Sequence, residues 1–336
     1  MGVTASVLAI DAGNSKTDVA VVGEDGSVLA SARGRGFHPP KVGIEPAIDA
    51  FASAVGAALA EAGASGVTGE TGENGPAVAH VSACLANADL PVEEEELTAA
   101  LQARGWGATT EVRNDTFALL RAGVGEPRGV AVVCGAGINC VGMLPDGRTA
   151  RFPAIGKIAG DWGGGMGMAE ESLWTAARAE DGRGAPTALA TTLPGHFGLG
   201  TMYELIEALH RGHIPYTRVH EVTPVLFATS AEGDPLARDL VRRLAEEVVV
   251  MATVALERLG LLDEEVPVVL GGSVLAARHP ELEDQIVALL GARAPKAYTT
   301  VVTAPPVLGA GLLGLDRVGA GAGARERLHR HYASRP

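Results

Sequence analysis

Several residue types that mark particular classes of protein are scarce in this sequence. The 336 residues include three cysteines, Cys84, Cys134 and Cys140. Their odd number and the lack of CxxC spacing favour reduced thiols over disulfides or a metal cluster. The nine histidines show no metal-ligand spacing such as HxxxH with a third ligand, so we do not expect a protein zinc site.

Basic residues are outnumbered by acidic ones. There are 27 lysines and arginines against 40 aspartates and glutamates, which gives a formal net charge of −13. A protein that binds a nucleic-acid backbone needs a basic face, so nucleic acid is not an expected partner. Small anionic ligands stay possible, because backbone N–H groups can bind a phosphate locally.

Long apolar runs are missing as well. The best candidate for a membrane span, residues 248–256, is short and follows Glu246 and Glu247. The N-terminus has neither the basic start nor the small-residue cleavage site of a signal peptide. We therefore expect a cytoplasmic protein that does not interact with a membrane.

The sequence does contain a regular alternation of strand and helix patterns. In the first half, strands are predicted at residues 7–10, 19–22, 27–32, 76–85 and 109–113, and helices at 45–62, 92–103 and 116–122. This alternation is typical of an α/β domain with a mixed or parallel sheet covered by helices. A chain of 336 residues is long enough for two such domains.

The second half opens with a unit that resembles the start of the chain. In "GVAVVCGAGINCVGMLPDGRTARF", from Gly129, two apolar strands flank a glycine-rich turn, and Asp146-Gly147 follow where the first unit has Asp25-Gly26. This weak repeat suggests two similar α/β halves. Further helices are predicted at 166–179, 201–210, 234–259 and 307–315, further strands at 266–270 and 299–303, and a frayed tail from residue 319.

The two glycine-rich turns are candidate phosphate sites. The first carries Asp11 and the polar run "GNSKT" at residues 13–17, far more polar chemistry than a hairpin requires. Backbone N–H groups of the two turns could bind a polyphosphate, with Asp11 beside a hydrated Mg²⁺ ion. Neither Walker A nor a strand–turn–helix GxGxxG is present, and the alternative is that both turns are simple tight hairpins.

Four other sites have both a functional and a purely structural interpretation. Asp115 follows a predicted strand and is either a general base or a helix cap. Asp161, in the glycine-rich "AIGKIAGDWGGGMGM", either binds sugar hydroxyls or belongs to a helix start with a core tryptophan. Residues 271–273 either contact adenine or form a plain turn, and His38 is either a ligand contact or a turn residue.

Taken in order, these motifs resemble the BadF/BadG/BcrA/BcrD ATPase family of the actin, Hsp70 and sugar-kinase superfamily, and within it the N-acetylglucosamine kinase branch. "IDAGNSKTD" and "VVCGAGINCVG" are similar to the two phosphate motifs, and "VVLGGSVL" to the adenosine motif. "RNDTFALLRAG" resembles the segment of the catalytic aspartate, and "IGKIAGDWGGG" the sugar loop. The resemblance extends over nearly the whole chain, from "AIDAGNSKTD" to "PPVLGAGLLGL".

The resemblance implies an α/β fold of two actin-like ATPase domains, a duplicated ribonuclease H-like fold with an interdomain cleft. The expected domains are residues 1–117 and 118–318, with the last helix able to return to the N-terminal domain. Residues 319–336 are expected to form a flexible tail. A homodimer is implied by the resemblance alone.

The resemblance also implies ATP and Mg²⁺ as cofactors and assigns roles to individual residues. Asp115 is the expected catalytic residue and Asp11 the expected metal ligand. The expected ATP contacts are Gly13, Asn14, Ser15, Lys16, Thr17, Gly135, Ala136, Gly137, Gly271, Gly272 and Ser273. The expected sugar contacts are His38, Asn114, Asp115, Asn139, Gly160 and Asp161. The chain departs from the family pattern at His38, Ala136, Ile138 and Ile155.

The expected activity is transfer of the ATP γ-phosphoryl group to the 6-hydroxyl of N-acetylglucosamine or a related amino sugar. One alternative is a BadF-type ATPase that activates a partner redox enzyme through a shared iron–sulfur cluster, although the cysteine spacing is against it. Another is a non-catalytic sugar sensor. Known sensors on related folds add a helix-turn-helix segment, whereas this acidic chain starts directly at its first strand.

Overall fold

The computed structural model describes residues 4–64 and 75–333. The strands in this part of the chain are β1 (Ala5–Ala12), β2 (Lys16–Gly23), β3 (Val28–Arg35), β4 (Val78–Leu85), β5 (Gly107–Asn114), β6 (Gly129–Cys134), β7 (Ile138–Met143), β8 (Thr149–Arg151), β9 (Val266–Gly271) and β10 (Ala297–Val301). The helices are α1 (Pro39–Val42), α2 (Ile44–Glu61), α3 (Pro91–Gln102), α4 (Asp115–Gly123), α5 (Gly164–Glu180), α6 (Leu189–His196), α7 (Met202–His210), α8 (Val222–Ala231), α9 (Pro235–Leu259), α10 (Gly272–Ala276), α11 (Pro280–Arg293), α12 (Pro306–Arg317) and α13 (Ala322–Ala333).

The described residues fall into two compact units. The first contains residues 4–64, 75–131, 141–148 and 302–333, and the second contains 132–140 and 149–301. This division differs from the expected boundary after residue 117, because α4 packs closely against α12. Gly309 permits that approach, since a Cβ there would lie 1.8 Å from the carbonyl oxygen of Ala118.

The first sheet has the strand order β3-β2-β1-β4-β5. Strands β1 to β3 are antiparallel neighbours, whereas β1, β4 and β5 run parallel. Both faces of β1 are apolar: Leu8 and Ile10 join the cluster that includes α2, while Val7 and Ala9 join the cluster that includes α12. The sheet is therefore buried between two helical layers, as expected for parallel strands.

The parallel pairing brings the carboxyl ends of three strands to one edge of this sheet. In the register, Asp11 at the end of β1 lies opposite Cys84 of β4, and Leu85 of β4 lies opposite Asn114 of β5. Asp115 follows directly as the first residue of α4. Both predicted functional carboxylates therefore belong to the same edge, where α/β sheets commonly bind ligands.

The second sheet repeats the order of the first. Its strand order is β10-β9-β6-β7-β8. The first strand along the chain, β6, lies between β7 and β9, just as β1 lies between β2 and β4 in the first sheet. The glycine turn of residues 135–137 joins β6 to β7, just as the first turn joins β1 to β2. The α/β fold built from two similar halves is therefore confirmed.

The C-terminal segment differs from its expected form. Residues from 319 onward were expected to be a flexible tail, but Ala322–Ala333 form α13. Ala324, Leu328 and Tyr332 follow one another at intervals of four, so they lie on one face of the helix, and all three are buried in the cluster that includes α12. Because the segment is rich in glycine and arginine, its composition does not indicate this apolar face.

None of the described helices is long and apolar enough to cross a membrane.

Candidate functional site

The first glycine-rich turn follows the end of β1, and most of its residues are exposed. The Gly13 N–H donates to the Lys16 carbonyl at 2.9 Å, and Asn14, Ser15 and Lys16 are exposed. Thr17 is fully buried, and its hydroxyl donates to the Arg35 carbonyl at 2.7 Å. The side-chain hydroxyl of Thr17 therefore forms a hydrogen bond within the fold, next to the exposed part of the turn.

The segment after β3 lies directly against this turn. A Cβ on Gly36 would lie 2.1 Å from the Asn14 carbonyl oxygen, so only glycine permits the approach. The Phe37 N–H donates to the Gly13 carbonyl at 3.0 Å. His38 comes next in the chain, and the structure thus brings this predicted sugar contact beside the predicted phosphate turn.

Two carboxylates beside the turn have raised pKa values. Burial raises the pKa of Asp11 to about 8, and the negative charges of Asp115 and Asp18 add to the rise while Lys16 opposes it. Burial also raises the pKa of Asp115 to about 6, against hydrogen bonds from Thr116. At neutral pH, Asp115 is therefore mostly ionised, whereas Asp11 tends to keep its proton in the absence of a cation.

This pair of carboxylates suits a magnesium ion. Mg²⁺ keeps several waters and is commonly held by only one or two protein carboxylates. A cation beside Asp11 would offset the repulsion from Asp115 that helps to raise its pKa. Within residues 4–64 and 75–333, no three His, Cys, Asp or Glu side chains are grouped as a metal cage, and a hydrated Mg²⁺ does not require one.

Asn114, not Asp115, is the N-cap of α4. Its side-chain oxygen accepts from the Thr116 N–H at 3.0 Å, and its amide donates to Asp89 Oδ1 at 2.8 Å. The Asn114 N–H donates to Glu94 at 2.9 Å. The capping role that sequence reasoning allowed for Asp115 is thus filled by its neighbour, at the position where capping is strongest.

Sequence reasoning missed the loop after β4. Asn87 donates to Asn14 Oδ1 at 2.9 Å, and Asp89 accepts from Asn114, so this loop contacts both predicted motifs. The strand order explains the placement, because β4 lies between β1 and β5. The polar residues in "ANADLP" at the end of a buried strand are the signal that could have identified it.

In the second unit, the glycine turn of residues 135–137 is packed against the start of α5. The Gly165 and Met166 N–H groups donate to the Gly135 and Ala136 carbonyls at 2.7 and 3.0 Å. Gly164 has φ +72°, and a Cβ there would lie 2.5 Å from the Ala136 oxygen. The glycines of the sugar-loop motif therefore allow it to lie against the second phosphate motif.

The adenosine motif lies against the same turn. Gly272 has φ +81°, and a Cβ there would lie 2.5 Å from the Cys134 carbonyl and 2.7 Å from the Gly135 nitrogen. Gly271 is buried and Ser273 is exposed. Three motifs that are far apart in sequence thus meet within one unit.

A cavity of about 360 Å³ opens beside these motifs. Its lining residues are Gly135, Ala136, Gly165, Met166, His220, Thr223, Pro224, Phe227, Ser273, Val274, Ala277 and His279. The rings of Phe227 and His279 are stacked, with centroids 3.8 Å apart and planes 4° from parallel. Burial lowers the pKa of His279, which favours its neutral form. Sequence reasoning missed this pair, since nothing local connects α8 with the segment before α11.

A second cavity, of about 240 Å³, contains the sugar-loop residues. Its lining residues are Ala136, Gly137, Ile138, Ala154, Gly156, Lys157, Asp161, Trp162, Gly163, Met166, Gly167, Glu170 and Glu171. Asp161 is half-buried and accepts from the Gly156 N–H at 2.8 Å, and burial raises its pKa. Trp162 is buried under the Arg243 guanidinium, which lies 4.0 Å from its ring centroid.

Gly160 and Asn139, the other predicted sugar contacts of this unit, lie outside the cavity that Asp161 lines. Gly160 has the left-handed conformation and ends a short 3₁₀ turn, and its N–H donates to the Lys157 carbonyl at 3.1 Å. The Asn139 side chain accepts from the Cys140 N–H at 2.7 Å. Neither residue lines the cavity that contains Asp161.

A larger cavity, of about 620 Å³, lies elsewhere in the first unit. It is lined by Asp18, Val19, Ser31, Ala32, Arg33, Thr303, Pro305, Val307 and Tyr332, and none of these is a predicted ligand residue. Volume alone therefore does not identify the functional part of this molecule.

Comparison with known proteins agrees with the motifs. Residues 8–314 match the model of the BadF/BadG/BcrA/BcrD ATPase family. An N-acetylmuramic acid/N-acetylglucosamine kinase of Clostridium acetobutylicum is 24% identical over 190 residues, which are 56% of this chain and 62% of that protein. An N-acetyl-D-glucosamine kinase of Dictyostelium discoideum is 24% identical over 241 residues, 70% of this chain and 75% of that protein. The match thus spans less than two thirds of the Clostridium protein.

Solved structures show the same fold. A candidate N-acetylglucosamine kinase of Chromobacterium violaceum superposes with a TM-score of 0.67 at 21% identity, covering 93% of this chain and 99% of that one. A ROK family glucokinase of Streptomyces griseus, solved with glucose and AMPPNP, gives a TM-score of 0.53 at 18% identity, covering 94% and 99%. With the family match over nearly all of its length, the chain belongs to the BadF/BadG/BcrA/BcrD ATPase family.

Proposed function

We propose that this protein is a sugar kinase that transfers the γ-phosphoryl group of ATP to the 6-hydroxyl of N-acetylglucosamine or a related amino sugar. The observation that carries the proposal is the pairing of Asp11 and Asp115 beside the exposed turn of residues 13–16. The Asp11 carboxylate suits the binding of a cation, and the Asp115 carboxylate suits the role of general base. Two relatives named as kinases of N-acetylated sugars support the acceptor class.

The donor is proposed to be ATP because both units offer features suited to a nucleotide. In the first unit, the backbone N–H groups of the exposed residues Asn14 and Ser15 are proposed to donate to phosphate oxygens. In the second unit, the 360 Å³ cavity joins the turn of residues 135–137 to the flat wall of Phe227 and His279. A purine ring is planar and stacks on aromatic faces, so it suits this wall.

Asp115 is proposed to act as the general base. The acceptor oxygen attacks the γ-phosphorus, its proton passes to the Asp115 carboxylate, and the bond from the γ-phosphorus to the ADP oxygen breaks. With a pKa of about 6, Asp115 is ionised at neutral pH and yet more basic than an ordinary aspartate. A hydrated Mg²⁺ held by Asp11 would supply neutralisation of the phosphate charge.

The 240 Å³ cavity is the proposed acceptor site of the second unit. Asp161 can accept hydrogen bonds from sugar hydroxyls, and Trp162 offers apolar area beside it. In the first unit, His38 remains a proposed sugar contact, whereas Asn114 is proposed as a supporting residue, because it is buried and its side chain is bonded to Thr116 and Asp89. Gly160 and Asn139 are retained only as backbone or supporting residues, since their polar groups are used within the fold.

Burial of the cysteines weighs against the redox-activator alternative. Cys84, Cys134 and Cys140 are all buried, and burial raises the pKa of each thiol. A cluster shared with a partner subunit requires exposed thiolates, which these residues do not offer.

The proposal is tested by a coupled ADP-release assay with Mg·ATP. The acceptors are N-acetylglucosamine, glucosamine, N-acetylmannosamine, N-acetylmuramic acid and glucose, with a sample that contains no sugar. We expect ADP release that depends on an amino sugar, and ³¹P NMR of the product should show a 6-phosphate ester. ADP release that is indifferent to sugar would overturn the kinase assignment, and a phosphate on another carbon would overturn the 6-hydroxyl.

A further inference from the structure

Asn87 has a backbone conformation that few residues other than glycine adopt. Its φ is +61°, in the left-handed region, where asparagine is tolerated better than most residues. Ala154 and Arg278 are the other described non-glycine residues with positive φ. A backbone of this kind persists where surrounding contacts hold it, and it is enriched at functional sites.

The side chain of Asn87 forms hydrogen bonds with two neighbouring segments. Its amide nitrogen donates to Asn14 Oδ1 at 2.9 Å and to the Phe37 carbonyl at 3.3 Å. One NH₂ group carries two hydrogens, so both bonds can be made at once. Asn14 is in the phosphate turn, and Phe37 directly precedes His38.

Backbone bonds complete the connection of the same three segments. The Ala86 N–H donates to the Ala12 carbonyl at 2.8 Å, and the Phe37 N–H donates to the Gly13 carbonyl at 3.0 Å. These bonds hold the main chain of residues 12 and 13, where the turn begins. The Asn87 amide is the group that links the side chain of the turn with the segment that carries His38.

We infer that Asn87 is a positioning residue for the phosphoryl-transfer site, a role that rests on the proposed function. By holding Asn14 and Phe37 through one amide, it fixes the phosphate turn relative to the acceptor segment. Its own bonds are ordinary hydrogen bonds of modest net strength. Misplacement of reacting groups by about 1 Å can nevertheless cost up to about 100-fold in rate, so the loss should appear in turnover.

Comparing Asn87→Gly with Asn87→Ala separates the effect of losing the side-chain amide from the effect of straining the backbone. Glycine adopts φ +61° without strain, so Asn87→Gly removes only the amide, whereas Asn87→Ala also strains the backbone. We expect both variants to lose about tenfold in kcat/KM for ATP, mainly through kcat, a loss of the size expected from the two modest hydrogen bonds of the amide. Only Asn87→Ala should have a clearly lower Tm. Wild-type kcat and KM in Asn87→Gly would overturn the inference.

A double-mutant cycle and hydrogen exchange identify the contact itself. Asn14→Ala should lower activity, and the loss in the double variant should be smaller than the sum of the two single losses, because the bond between Asn87 and Asn14 is removed by either substitution. Fully additive losses would contradict the inference. Amide exchange in peptides covering residues 13–16 and 37–38 should be faster in Asn87→Gly than in the wild type, and unchanged exchange would also contradict it.

These measurements distinguish failure of the inference from failure of the proposed function. If the wild type releases ADP with a sugar and Asn87→Gly does the same at equal rate, only the inference fails. If the wild type acts on no sugar, the proposed function fails. Exchange and the Kd of Mg·ATP then decide whether Asn87 holds the turn: weaker binding with faster exchange supports it, and no change in either refutes it.

Discussion

Burial, reinforced by the negative charge of Asp115, raises the pKa of Asp11 to about 8. The two residues are 104 positions apart in the sequence, yet parallel pairing of β1, β4 and β5 brings both to one edge of the first sheet. Burial at this edge, with the added repulsion at Asp11, is the structural basis of the pH predictions for catalysis and stability.

Turnover should depend on the ionisation of Asp115. Because its pKa is about 6, the carboxylate is protonated below this pH and cannot accept the acceptor's proton. We expect kcat to rise between pH 5 and 7 and then to level off, measured at saturating Mg·ATP and sugar. A kcat that is constant from pH 5 to 8 would exclude Asp115 as the base.

The contribution of Asp11 to the free energy of unfolding should fall as the pH rises, whereas the contribution of a salt-bridged aspartate would increase. The folded pKa of about 8 lies above the ordinary value of 3.8, so the folded state binds the proton more tightly than the unfolded state does. The stabilisation that comes from proton binding at Asp11 is therefore fully present below pH 4, and it is lost as the pH rises towards 8. In buffer without nucleotide or metal, Asp11→Asn should have a higher Tm than the wild type at pH 8, and the gain should shrink at pH 4. A lower Tm at pH 8 would contradict the electrostatic account.

The stacked pair of Phe227 and His279 should contribute to nucleotide affinity. Loss of one aromatic face that stacks on a base typically costs about 1–3 kcal/mol. Phe227→Ala should therefore raise the KM for ATP by about tenfold or more and leave the KM for sugar nearly unchanged. Tyr203→Ala is a suitable control, since Tyr203 is an exposed aromatic residue of the same unit outside this cavity. An equal effect of both substitutions would refute the role of the stack.

The charge of the acceptor should matter. The 240 Å³ cavity is lined by the carboxylates Asp161, Glu170 and Glu171 and by one cation, Lys157. An acidic sugar meets net repulsion there, so kcat/KM for N-acetylmuramic acid should be lower than for N-acetylglucosamine.

A charge-neutral variant tests the cause of this preference. In Glu171→Gln the difference between the two sugars should narrow, whereas Glu207→Gln, on the exposed surface of α7, should leave it unchanged. Equal use of both sugars by the wild type would show that the cavity charge does not select the acceptor.

Local sequence patterns predict most elements but few of the contacts between distant ones. Strands β1 and β2 and helix α9 follow from apolar runs and from the cap at Asp234, which accepts from the Ala237 N–H. The contact of Asn87 with Asn14 depends on which strands pair, which no local pattern specifies. The burial of Thr17 likewise depends on the inward orientation that β2 gives this residue, which motif similarity alone does not specify.

The most direct test compares ADP release by the wild type and Asp115→Asn at saturating Mg·ATP, with and without N-acetylglucosamine. Asp146→Asn serves as the control, since Asp146 is an exposed aspartate in a hairpin turn. We predict sugar-dependent release by the wild type and Asp146→Asn, and a loss of about 10²–10⁴-fold in Asp115→Asn with Mg·ATP binding retained. Sugar-dependent release by Asp115→Asn at the wild-type rate would contradict the account.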